Sequence, residues 1–209
     1  MMPPPQPKAE VTPNRRGARS REAVLDAAER LIAEHGFEAA TVGALVKAAG
    51  IPASSIYHYF GSKDGVLLAV MERGAQRYFA ELQLPERRLG SPREHLRILL
   101  EAATATLERH PDFLRILVVM AVQPSAAGDG EVHRVVERVR ELALQRLREQ
   151  MHVVFGLDPA SDEADHLARF WLSASDGAFV AHQSHPQRSV ADLLGHLPDA
   201  LIAVRRALG

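Results

Sequence analysis

Ser54, Tyr57 and His58 stand at i, i+3 and i+4 within ASSIYHYF, residues 53–60. On a helix that spacing puts them on one face. The face offers a hydroxyl, a phenol and an imidazole, which donate and accept hydrogen bonds and stack on flat rings. This is equipment for recognition. Ile56 and Phe60, at i and i+4, point the other way, toward a core. Lys63 follows Ser62 at the start of another helix, where the dipole disfavours a cation. A charge placed there against the local electrostatics suggests another purpose.

The elements around this face read as a helix-turn-helix. Val42, Leu45, Val46 and Ala49 recur at helical spacing. Gly50 stands where a helix C-terminus takes a left-handed residue. Ile51 and Pro52 make the turn, and the second helix runs from Ala53 to Phe60. Thr41 can cap the first of the pair, a contribution of about 1 kcal/mol. Ahead of them, Arg19 to His35 is amphipathic, with Val24, Ala28, Leu31 and His35 on one stripe and Leu25 and Ile32 beside it. Gly36 ends that helix, and Phe37 returns to the core. Ser62 opens a longer helix to about Leu82, striped by Leu67, Val70, Met71, Gly74 and Tyr78.

Residues 20 to 70 resemble the DNA-binding domain of the TetR family of bacterial transcriptional regulators. The resemblance rests on Ala27-Ala28, Leu31 to Phe37, Thr41, Ala48 to Ile51, Ser55 to Phe60 and Ser62-Lys63. It implies that Thr41 and Lys63 hold DNA phosphates. It also implies that the positions after the cap, here Val42 and Gly43, reach DNA. Gly43 has no side chain to read a base, so readout shifts to Ala53, Ser54, Ser55, Tyr57, His58 and Tyr59. Tyr59 sits between the two faces. Pro52 replaces the family's usual hydroxyl and loses a cap, and Gly65 stands where the family has a capping acid.

Composition bounds the rest. The chain has 209 residues, 46% of them hydrophobic, and a formal net charge of -1. That excludes a strongly basic nucleic-acid coat protein. It leaves room for local basicity: Met1 to Arg21 carries Lys8, Arg15, Arg16, Arg19 and Arg21 against Glu10. Residues 1–18 read as a disordered arm containing five prolines. Two readings of Arg15, Arg16 and Arg19 stand: a solvated tail, or an arm near the DNA backbone or minor groove. No cysteine means no disulfide framework. No apolar run is long enough for a membrane span and no signal peptide is visible, so a cytoplasmic protein with no membrane partner is expected.

From Pro92 onward the chain reads as helices alone, giving an all-α fold. Residues 19–65 form the helix-turn-helix domain and 66–209 a helical bundle. Phe113 to Val122 is apolar nearly all round. Val132, Val135, Val136, Val139, Leu142 and Ala143 stripe a helix ending near Gly156. Leu167, Phe170, Trp171, Ala174, Ala178 and Ala181 stripe the next, and Ser189 to Leu208 is the last, interrupted by Gly195 and Pro198. The resemblance implies a homodimer built on the last two helices, through Ala174, Ala178, Ala181, Leu193, Leu197, Leu201 and Val204. It also implies a pocket for a small apolar or amphipathic effector. Leu114, Leu117, Met120, Met151, Phe155, Phe170, Trp171 and Phe179 are the candidate lining, with ordinary core packing as the alternative.

Rival classes find less support. His182 and His185, at i and i+3, are a possible ligand pair, but no HExxH, cysteine ligand or carboxylate pair accompanies them. No G-x-S-x-G or phosphate-binding glycine loop is present. Asp162, Glu163 and Asp165 read as favourable first-turn charges. A helical adaptor that never binds DNA would leave the 53–60 face unconstrained. The expected function is therefore a cofactor-free, non-enzymatic regulator. The resemblance implies that it binds double-stranded palindromic operator DNA as a dimer, most often as a repressor released by a small-molecule effector; an activator, or a ligand-unresponsive helical adaptor, is the alternative.

Overall fold

The computed structural model describes residues 15–36, 39–122 and 131–208, without the side chains of 15, 16, 111, 112, 119–122 and 131–133. Residues 1–14, Phe37, the Met120 side chain and the Arg15 and Arg16 side chains lie outside the described residues. Among the described residues every regular element is a helix: α1 (Arg15–His35), α2 (Val42–Ala49), α3 (Ala53–Phe60), α4 (Lys63–Glu81), α5 (Pro92–Arg109), α6 (Pro111–Val122), α7 (Glu131–Phe155), α8 (Asp162–Ser184), α9 (Val190–Leu193) and α10 (Leu197–Leu208). The chain divides into two units, Met1–Val66 and Leu67–Gly209, and the division falls inside α4.

In the first unit α1 packs on α2 and α3, and α2 packs on α3. The buried stripe of α1 is Val24, Leu25, Ala27, Ala28, Ile32 and Ala33. The expected stripe is corrected at one end. His35 is exposed and lies 3.6 Å from Glu34 on the surface; the last turn directs Ile32 and Ala33 to the core instead. α1 also begins at Arg15, so 15–18 are helical rather than part of an extended arm. After Pro13 the run RRGARSRE holds no proline, and its one glycine, Gly17, lowers helix propensity by only about 1 kcal/mol.

In the second unit α7 packs on α8, α8 on α9 and α10, and α5 on α6, α7, α9 and α10. Leu96 and Leu99 of α5, Met151 and Val154 of α7, Leu167 and Trp171 of α8, and Leu197 and Leu201 of α10 share one core. Ser91 starts α5 with a reciprocal capping box to Glu94. Arg93 donates twice to the Asp199 carboxylate at 2.7 Å, tying α5 to α10. Leu142, placed on the apolar stripe by spacing, is exposed. The buried face of α7 runs instead through Val135, Val136, Val139 and Leu144.

The expected single helix over 189–208 is two. Ser189 caps α9, the chain turns through 194–196, and α10 starts at Leu197. Pro198 therefore sits in the first turn of α10, where its missing N–H costs no helical bond. The proline begins a helix instead of kinking one.

Candidate functional site

The helix pair is built by its caps. The Ala44 N–H donates to Thr41 Oγ1 at 3.2 Å, opening α2. Gly50 adopts φ 68° and its N–H donates to the Val46 carbonyl at 2.9 Å, closing it. Pro52 then occupies the N-cap of α3 with no side-chain cap bond. It is the residue before the first helical position, not the first-turn proline of the usual rule.

α3 separates into two faces. Ile56 is 1% exposed. Tyr57 is 52% exposed, and Ala53, Ser54 and His58 are exposed with it. Ser55 and Tyr59 are half-buried. The Tyr59 ring lies 5.5 Å from His58 and 6.2 Å from Phe60, between centroids. Phe60 is only half-buried, and the Arg21 guanidinium stands 5.3 Å over its ring. That cation–π contact keeps its outer face covered. A tyrosine left half in water beside a buried isoleucine is unusual for packing and suited to contact with another molecule.

At the start of α2, Thr41 and Gly43 are exposed and Val42 is half-buried. Among the described residues, only Thr41 Oγ1, at 3.9 Å, lies within 4 Å of a Cβ at Gly43. Arg19 is exposed on α1. Lys63, half-buried, is the first residue of α4.

Gly65 is more than a missing capping acid. The Gly65 N–H donates to Ser62 Oγ at 3.0 Å, so the serine caps α4 alone. A Cβ at 65 would stand 1.9 Å from the Phe60 carbonyl oxygen. The bare backbone lets α3 run close against the start of α4, which fixes where Lys63 stands relative to α3. Alanine would gain about 1 kcal/mol of helix propensity. It would also force two backbones apart, an overpacking cost of roughly 1–3 kcal/mol. Gly65→Ala is therefore expected to lower the thermal unfolding midpoint and to weaken DNA binding. An unchanged midpoint in calorimetry would show that the turn relaxes freely.

The second unit holds a partly open cavity of about 100 Å³. α4 contributes Tyr78 and Phe79, α5 Leu99, Ala103 and Leu107, α6 Phe113, Leu114 and Leu117, α7 Val139 to Gln150, and α8 Trp171 to Asp176. Gly74 keys α6 against α4: a Cβ there would meet the Phe113 ring at 2.5 Å.

Several expected lining residues do not line this cavity. Met151 is fully buried in the α5–α7–α8–α10 core, and Phe155 packs against the same core. Phe179 is buried elsewhere on α8. Phe170 is 36% exposed, because it lies one position from Trp171 and so projects roughly 100° away around the helix. Leu114, Leu117 and Trp171 do line the cavity. Sequence reasoning missed Tyr78, Phe79, Arg140, Arg146 and Asp176. The signal for Arg146 was present: it continues the Val139, Ala143 stripe at helical spacing, so a charge stands on a buried face.

The expected dimer residues divide similarly. Ala178, Leu197 and Leu201 are buried within the chain's own core. Ala174, Ala181, Leu193 and Val204 are half-buried. The exposed stripe of α8 is instead Phe170, Ser173, Gly177 and Val180.

Among the described residues no group of three or more histidines or acids is placed to hold a metal. His182 Nδ1 donates to the Arg188 carbonyl at 2.7 Å, a helix-end contact. No helix among the described residues is long and apolar enough to cross a membrane.

Residues 24–70 match the family model described as bacterial regulatory proteins, tetR family. The transcriptional repressor AcnR of Corynebacterium glutamicum is 43% identical over 58 residues, 28% of this chain and 31% of that repressor. The chain thus aligns with under a third of AcnR. The transcriptional regulator BetI of Rhizobium meliloti is 25% identical over 174 residues, 83% of this chain and 80% of BetI. Among solved structures, a Rhodococcus transcriptional regulator superposes with a TM-score of 0.68 at 22% identity, covering 90% of this chain and 97% of its own. A Saccharomonospora viridis protein solved in complex with choline superposes with a TM-score of 0.70 at 20% identity, covering 87% and 95%.

Proposed function

We propose, from the premise that this chain is a TetR-family DNA-binding transcriptional regulator, that it represses transcription as an effector-released homodimer. The observation that carries the reading is the outward face of α3, where Tyr57 and His58 stand in water above a buried Ile56. Each subunit lays that face in a major groove. Half-sites centred about 34–36 Å apart, or a related spacing, then receive the two copies. Ala53, Ser54, Ser55, Tyr57, His58 and Tyr59 read bases. Thr41, Lys63 and the arginines 15, 16 and 19 hold phosphates, with Val42 and Gly43 against the backbone. The domains are 15–65 for DNA and 66–209 for effector and partner.

Two features support the homodimer. The α8 stripe is exposed, with Val180 50% accessible. Gly177 lies inside that helix with open space where a Cβ would be. An interior glycine costs about 1 kcal/mol relative to alanine, and packing within the subunit gives no reason for it. A second helix approaching closely would.

The effector reading rests on the cavity. α4 is one helix from Lys63 to Glu81, and its last turns carry Tyr78 and Phe79 into the cavity wall. A ligand that prefers a different setting of those rings shifts α4 by its differential affinity for the two settings. Operator affinity falls accordingly.

Gel-shift titration on DNA upstream of its own gene tests DNA binding. Binding at low salt that weakens with added salt supports it, and indifference to every fragment sinks it. Lys63→Ala is expected to weaken binding evenly across sequences and to reduce the log–log salt slope by about 1. An unchanged slope would remove Lys63 from the phosphate contacts.

A further inference from the structure

Granted the reading of the internal cavity as the effector site, its charges narrow the chemistry of the occupant. The charged lining residues are Arg140, Arg146 and Asp176. Arg140 donates to the Asp176 carboxylate at 2.6 Å, so that pair is internally neutral. Gln150 is already committed. Its Nε2 donates to the Pro85 carbonyl at 3.3 Å, and its Oε1 lies 3.3 Å from His95 Nε2. The Leu89 N–H donates to His95 Nδ1 at 3.0 Å, which leaves the imidazole proton on Nε2, facing Gln150. The side-chain amide therefore has little to offer a ligand.

Arg146 supplies the net positive charge. Its guanidinium stands 4.9 Å over the Phe79 ring and donates to the Phe79 carbonyl at 3.3 Å. A guanidinium carries five N–H groups, so donors are left for a ligand. Burial pushes the Tyr78 phenol up to about 12, against the pull of Arg146. The hydroxyl thus stays neutral and able to donate at physiological pH. Arg146 and Gln150 also line a second, open cleft with Glu86, Gln145, Glu149 and His152. Arg146 thus stands where an apolar chamber meets a polar opening.

We infer that the effector is an amphiphilic monocarboxylate, its apolar body among the cavity's leucines and aromatic rings and its carboxylate at Arg146 and the Tyr78 hydroxyl. A carboxylate takes two parallel bonds from a guanidinium. A quaternary ammonium would seek an aromatic face; the Phe79 face is covered by Arg146, and the cavity's net positive charge opposes a cation at Tyr78, Phe113 or Trp171. A polyanionic head would meet Glu86 and Glu149 in the cleft.

Three probes with the same ten-carbon chain test this on the intact protein: decanoate, decanol and decyltrimethylammonium. Trp171 is the single tryptophan and lines the cavity, so its fluorescence reads occupancy. Decanoate is expected to bind roughly tenfold or more tighter than decanol, and the cation weakest. Arg146→Met should bring decanoate down to the level of decanol while decanol binding stays unchanged, which also reports a folded variant. Equal or tighter binding of the cation overturns the inference. So does a decanoate preference that survives Arg146→Met. Binding of decanol without decanoate sinks the charge assignment alone, whereas binding of none of the three sinks the cavity as an effector site as well.

Discussion

Tyr57→Ala lowers operator affinity by at least about tenfold at fixed salt, with unfolding midpoint and dimer mass unchanged. A good side-chain contact to a base edge contributes about 1–3 kcal/mol of discrimination, and a dimer presents the residue twice. The stability half of the expectation follows from exposure. Tyr57 is 52% accessible and buries little within its own subunit. Surface substitutions of this kind stay within about 0.5 kcal/mol. The paired control is Ile56→Ala. Its side chain is fully enclosed, and truncating such a residue costs about 2–5 kcal/mol. Loss of binding in that variant comes with loss of fold. Operator titration beside calorimetry separates the two neighbours: Tyr57 moves the first and spares the second, and Ile56 moves both.

Val180→Arg splits the dimer and lowers operator affinity by about a hundredfold. In an isolated subunit the new side chain points into water and changes little. In the homodimer it would bury an unpaired guanidinium against its own copy, with like charges facing across the two-fold axis. A monomer loses the effective concentration by which the first bound half-site delivers the second, which is worth 10² or more, roughly. Light scattering reads the mass, and the gel shift reads the affinity. A variant that keeps the mass of two chains would place the partner surface elsewhere than α8.

The two functional regions differ in how far the amino-acid order reveals them. The α2–α3 pair was readable because its information is local. A capping threonine, a left-handed glycine and an i, i+3, i+4 face all lie within 20 residues, and each reports its own backbone geometry. The start of α1 was not, because a run of arginines and small residues is compatible with helix and with coil, and only packing further along decides. Gly65 shows the same limit at shorter range. Its role depends on how closely the Phe60 carbonyl approaches, which no spacing rule reports.

The cavity and the partner surface depend on long-range packing. Met151, Leu201 and Trp171 are all apolar residues at helical spacing, and nothing local says which face a void, a core or a second chain. Leu201 is enclosed by its own subunit, while Phe170, one position from Trp171, is partly in water. The legible cue was a violation: Arg140 and Arg146 continue the apolar stripe of α7. A charge kept on a buried face costs stability unless something answers it. Such breaks in pattern point to function more reliably than the pattern itself.

The most direct measurement is a footprint of the intact protein on the DNA upstream of its own gene, with the mass of the complex taken alongside. A palindrome protected over two half-sites, centred about 34–36 Å apart or at a related multiple, by an even number of chains is the expected result. Protection of a single half-site by one chain, or no protection at low salt, would contradict the account.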